Sequence, residues 1–165
     1  MDDFPSVPTK DYETIRANIN SGDLLLCSGS SIVSEMIKKV TDSVWSHVAF
    51  VIRLDAIERI MLLESVESVG VRTVPLTSYV HDYNATGKGY LGRIMLARHQ
   101  DMQQANIANL SKYAVDLLGY PYDKDEIIRI MARIAMHAFN LESTIPKQDR
   151  EFICSAMCFV SNTLS

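Results

Sequence analysis

The feature that most limits how this chain can fold is the separation of its strand-forming segments from most of its helix-forming ones. Rich in β-branched, aromatic and aliphatic residues, Ser46 to Leu54 (SHVAFVIRL) and Arg59 to Val66 (RIMLLESV) read as buried strands. Gly70 turns the chain into a short strand at 71–74, which Pro75 stops. Gly87, Gly89 and Gly92 flank or enter a further strand at about 90–97. A short apolar strand, Leu24-Leu25-Leu26-Cys27, precedes them all. The last third is helical. Ile107, Leu110, Ala114 and Leu117 recur three or four apart, and Gly119 followed by Pro121 supplies the stop. A second helix is expected over about 124–140, and a third begins near Arg150 with Ile153, Ala156, Met157 and Val160 on its core face. Two helices come earlier: a short one around 11–19, and an amphipathic one over 31–40 entered through a Ser28-Gly29-Ser30-Ser31 turn. Strands in the middle and helices mostly after them argue for an α+β fold rather than alternating βαβ units.

Composition narrows the class of function. The chain of 165 residues fits one domain, 1–165, with a lead-in and short helix over 1–20, and it is long enough to bury a core without staples. Hydrophobic residues make up 47%, which rules out intrinsic disorder. No apolar run approaches the ~18 residues of a membrane span. With 16 Lys and Arg against 20 Asp and Glu, the net charge of -4 argues against a nucleic-acid surface. Three cysteines fit reduced thiols, and the opening MDDFPSVPTKDYE has neither a basic n-region nor an apolar h-region. The expectation is a cytoplasmic chain.

Three residues stand out chemically. Glu64 sits in RIMLLESV with apolar neighbours on both faces, so its carboxylate requires a cationic or donor partner. His47 opens the neighbouring strand, and consecutive strands usually lie side by side. The two could meet, the carboxylate fixing the imidazole tautomer and stabilising its charged form. Equally, Glu64 could pair with Arg59, Arg53 or Arg72, leaving His47 a strand-edge histidine. Cys154, in the first turn of the last helix (DREFICSAMC), would feel the positive end of the helix dipole, which lowers a thiol pKa. Cysteine, histidine and an acid make up a thiol-nucleophile site, although a free cysteine is also commonly a small core residue. Cys27 reads as core. His81 and His99 lie in polar, loop-like surroundings, and His137 falls within a helix. A zinc site from His47, Cys154 and Cys158 lacks a well-spaced fourth ligand, so no metal or other cofactor is expected.

Taken in order, His47 in SHVAFV, Glu64 in LLESV, Gly70-Val71-Arg72, the GYPYD segment at 119–123 and Cys154 in FICSAMC resemble the circularly permuted branch of the NlpC-type papain-like superfamily. This branch includes bacterial permuted cysteine peptidases and amidases and the lecithin retinol acyltransferase relatives. The resemblance covers roughly 21–162. It implies a papain-like fold, a small bent antiparallel sheet or open barrel packed against helices. It also implies Cys154 as nucleophile, His47 as general base and acid, and Glu64 as the orienting acid. Tyr122, Ser155 and Trp45 are the implied substrate-side residues. Ala49 stands where a glycine often follows the His-Val pair, and Ser-Ala-Met follows Cys154 in place of Ser-Glu. The implied activity is hydrolysis of an amide in a small peptide or amino-acid conjugate through an acyl-enzyme. The alternatives are a lipid acyltransferase or thioesterase-like enzyme, and a non-catalytic binding module. Residues 124–140, with Arg129 and Arg133, form a helix expected to pack inward, so membrane contact is not expected. The sequence sets no oligomeric state.

Overall fold

A computed structural model of the chain describes residue 4 and residues 8–98 and 104–121, and in it the strand-forming segments make one antiparallel sheet. The strands are β1 (Leu24–Ser28), β2 (His47–Leu54), β3 (Arg59–Val66), β4 (Gly70–Pro75) and β5 (Arg93–Ala97). They lie in the order β4-β3-β2-β1-β5. β2, β3 and β4 follow one another as hairpin neighbours, because the links between them are too short for a crossover. β1 and β5 complete the other side, with Leu25 opposite both Ala49 and Leu96.

The helices are α1 (Tyr12–Ile15) ahead of β1, α2 (Ile32–Thr41) and α3 (Leu76–His81) between strands, and α4 (Gln104–Asp116) after β5. Helical structure in the lead-in is shorter than the sequence suggests. α1 is a single turn capped by Asp11, and it tightens into a 3-10 turn at Arg16–Asn18 before the chain reaches β1. α2 follows its sequence signals closely. Ser31 is its N-cap, accepting from the Ser34 N–H, and Asp42 ends it in the left-handed region at φ 48. Ile32, Val33 and Met36 are not core, however, being 82%, 39% and 46% exposed. The fifth expected strand is also shorter, starting at Arg93 rather than near residue 90. Within α3, His81 occupies the last helical turn rather than a loop.

Strand alternation divides the sheet into two apolar faces. Leu25, Cys27, Ala49, Val51, Ile60 and Leu62 point to one face, where Tyr12 of α1 and Leu76 and Tyr79 of α3 cover them. Leu63 and Val71 point to the other, against Ala114 of α4 and Leu117 just beyond it. The chain after α4 is fastened to edge strand β4. Val71 N–H donates to the Tyr120 carbonyl at 2.8 Å, and Gly119 N–H donates to the Val71 carbonyl at 3.0 Å. Gly70 makes this approach possible, since a Cβ there would lie 2.1 Å from the Tyr120 oxygen. At the opposite edge Arg98 grips the buried Asp23 carboxylate with two hydrogen bonds of 2.6 and 2.8 Å, tying the end of β5 to the entry of β1.

Candidate active site

Where β2 begins, its backbone is held from behind. Ser46 N–H donates to the Cys27 carbonyl at 2.9 Å, and the Ser46 hydroxyl accepts from Gly29 N–H at 2.9 Å. His47 is the next residue. In the β1–β2 register it stands opposite Cys27, and it shares a sheet face with Ala49 and Val51. The β2–β3 ladder has its last pair at Phe50 and Leu63, so His47 lies beyond it and its ring can reach across toward β3.

Glu64 is fully buried in β3, directly opposite Arg72 of β4. Its carboxylate resolves both pairings that the sequence left open, because it accepts from His47 and from Arg72 at once. His47 Nε2 lies 2.7 Å from Oε2, and the Tyr79 hydroxyl donates to the same oxygen at 2.6 Å. Arg72 takes the other oxygen, with Nε at 2.9 Å and Nη2 at 2.8 Å from Oε1. The remaining two arginines bind elsewhere. Arg53 bonds Asp55 and the carbonyls of Arg16 and Ile19, while Arg59 donates to the Glu58 carbonyl.

This geometry sets the charge state of Glu64. Burial alone would raise the Glu64 carboxyl. The hydrogen bond and positive charge of His47, the Tyr79 hydroxyl and the Arg72 guanidinium outweigh that penalty and hold it below the usual carboxylate range. Burial, then the Glu64 charge and hydrogen bond, push Tyr79 far up, so its hydroxyl remains a donor. An ionised carboxylate facing Nε2 requires a proton on that nitrogen. Nδ1 is then the ring position that takes up and returns a proton, and Glu64 stabilises the imidazolium when it does.

Tyr79 is the site residue that sequence reading missed, because helix α3 was missed with it. The signal was present in LTSYVH, where Leu76, Tyr79 and Val80 recur at helical spacing immediately after Pro75. Tyr79 also packs with Tyr83 and Tyr90, at ring separations of 4.9 and 5.5 Å. Burial, with Cys27, Tyr83 and Glu64 close by, pushes the Tyr90 phenol up to about 12. Trp45 lies two residues before His47 and stacks edge-on against Phe4 at 5.4 Å. Cys154, Ser155, Tyr122 and Cys158 lie outside the described residues, as do the helices expected over 124–140 and from Arg150. Among the described residues no three His, Cys, Asp or Glu side chains are grouped to hold a metal ion.

An open antiparallel sheet packed against helices, with a histidine and a buried acid joined across adjacent strands ahead of a C-terminal cysteine, has the order of a permuted papain-like protein. The family model described as "Permuted papain-like amidase enzyme, YaeF/YiiX, C92 family" matches residues 18–127, about two thirds of the chain. The chain belongs to this family. Among solved structures it is similar to one described as the metalloprotein YiiX from Escherichia coli O157:H7, with a TM-score of 0.59 and 19% identity. That likeness is one of fold. It covers 88% of this chain and 65% of that one, so this chain spans less than two thirds of YiiX's length. No curated protein matches the chain.

Proposed function

We propose that this protein is a cysteine amidase that hydrolyses an amide bond in a small peptide or amino-acid conjugate. Cys154 is the nucleophile, His47 the general base and acid, and Glu64 the residue that orients His47. The observation that carries the reading is the 2.7 Å bond from His47 to a fully buried carboxylate held ionised by its partners. Membership of a papain-like amidase family supports the reaction class.

In this mechanism the Cys154 thiolate, paired with the His47 imidazolium, attacks the amide carbon and forms a C–S bond. As the tetrahedral intermediate collapses, the C–N bond breaks and His47 gives its Nδ1 proton to the departing amine. A thioester remains. A water molecule then attacks its carbonyl while Nδ1 takes the water's proton. Breaking the C–S bond releases the carboxylic acid and restores the thiolate–imidazolium pair. Glu64 holds the Nε2 proton throughout and does not change its own protonation. In this proposal the Cys154 backbone N–H stabilises the oxyanion, with Tyr122 and Ser155 on the substrate side.

The test is the alkylation rate of each cysteine against pH, resolved by peptide mapping. Cys154 should react far faster than buried Cys27 near neutral pH, with an apparent pKa well below ~8.5. His47→Asn should remove that advantage. A Cys154 that titrates like an ordinary thiol would refute the assignment and favour a binding module.

A further inference from the structure

The concavity with the most distinctive lining lies apart from the His47–Glu64 pair. A cavity of about 740 Å³ opens between the lead-in, β1, β5 and α3. This is within the usual ~300–1,000 Å³ range of small-ligand sites. Phe4, Trp45, Leu25, Leu76, Val80 and Leu96 supply its apolar wall. Two cations, Lys10 and Arg93, also line it, and among the described residues no aspartate or glutamate does. Arg93 lies over the Phe4 ring, 4.3 Å from its centroid. Among the described residues neither cation forms an ion pair, whereas Arg53, Arg72 and Arg98 each hold a carboxylate.

An apolar hollow bordered by two such cations, with no acid among its described lining residues, has a defined complement. We infer that this cavity binds a single apolar chain ending in an anionic group, of the fatty-carboxylate or alkyl-phosphate kind. The chain lies against Leu25, Leu76 and Trp45, where burial of its methylenes is favourable. The anionic end meets Lys10 and Arg93, and the Phe4 ring keeps the guanidinium in place. A neutral chain gains the first contribution without the second, and a cationic chain meets repulsion. The inference stands on the cavity and does not depend on the reading of His47 as a base, so it is tested by binding rather than turnover.

Trp45 is the chain's single tryptophan, so its fluorescence reports on this wall directly. The full chain is titrated below micelle-forming concentrations with decanoate, decyl phosphate, decanol and decyltrimethylammonium. Saturable changes are expected with both anions, weaker binding with decanol, and the weakest with the cation. The double variant Lys10→Gln/Arg93→Gln removes two exposed charges without touching the core. It should weaken decanoate about tenfold and leave decanol within about twofold. Absence of a saturable change with either anion, equal affinity for the anionic and cationic chains, or an unaffected double variant would each overturn the inference. A response to anionic phospholipid vesicles but not to monomeric decanoate would also overturn it and assign the surface to membranes instead.

Discussion

Replacing Glu64 with glutamine changes one atom type in a site where every lone pair is used, so its consequences can be worked through in detail. The carboxylate presents two acceptor oxygens, one facing Arg72 and the other facing His47 and Tyr79. An amide has only one. If that oxygen faces His47 and Tyr79, the NH2 group confronts the guanidinium, donor against donor, and neither side can adjust. If it faces Arg72, the NH2 group confronts Nε2 and the tyrosine hydroxyl, and both can become acceptors. The second arrangement is the cheaper one, and it forces the His47 proton onto Nδ1. Arg72 is still left beside a neutral group, but its side chain is 25% exposed and water takes up part of the loss. The expected destabilisation of Glu64→Gln is therefore about 1–3 kcal/mol, below the ~3–5 kcal/mol for breaking a fully buried pair. The functional loss should be disproportionately larger, because the tautomer is reversed. By analogy with amide-for-carboxylate changes in other triads, amide hydrolysis should fall by about 10⁴-fold. Urea unfolding measures the first quantity. Nitrogen NMR reads the tautomer of the neutral imidazole directly, in a Cys154→Ala background that removes the thiolate–imidazolium pair, with the proton on Nε2 beside Glu64 and on Nδ1 beside the glutamine. Finding the same tautomer in both proteins, with unchanged stability, would refute the argument that Glu64 fixes the ring.

Further outcomes follow from the same contacts. Because the folded pKa of Glu64 is depressed, its stabilising contribution is present above the unfolded value of about 4.5. It is lost as pH falls from there through the lower folded value, so acid unfolding followed by circular dichroism should steepen below about pH 4.5. Tyr79→Phe removes one of the donors that hold this carboxylate ionised. It should cost about 1–2 kcal/mol in urea unfolding and shift the acid transition to higher pH, whereas an unchanged transition would discount the 2.6 Å bond. Gly70→Ala places a Cβ against the Tyr120 carbonyl at a backbone φ of 85, so thermal unfolding should report a loss of more than about 2 kcal/mol. A chelator should leave Cys154 alkylation and the melting temperature unaltered. Loss of stability on chelation would instead make His47 a metal ligand.

The sequence by itself determined much of the sheet. β3 occupies the expected residues, and β2 and β4 begin or end within a residue of the expected limits, because β-branched alternation and glycine or proline stops act locally. It also established that Glu64 must have a partner, since desolvating a carboxylate among RIMLLESV is costly wherever the strand lies. Local pattern was a poorer guide where packing overrides it. α2 has an amphipathic repeat, yet Ile32 and Met36 face solvent. α3 has only six residues, so the helical spacing of Leu76, Tyr79 and Val80 is a short signal beside the longer repeats elsewhere. Only the tertiary structure decided which partners Glu64 takes. The β3–β4 register sets Arg72 opposite it, the end of the β2–β3 ladder frees His47 to reach it, and α3 brings Tyr79 over the same face. Those three contacts span 8 to 17 residues of chain. No local propensity encodes them, because they exist only after strand register and helix docking have fixed the backbone.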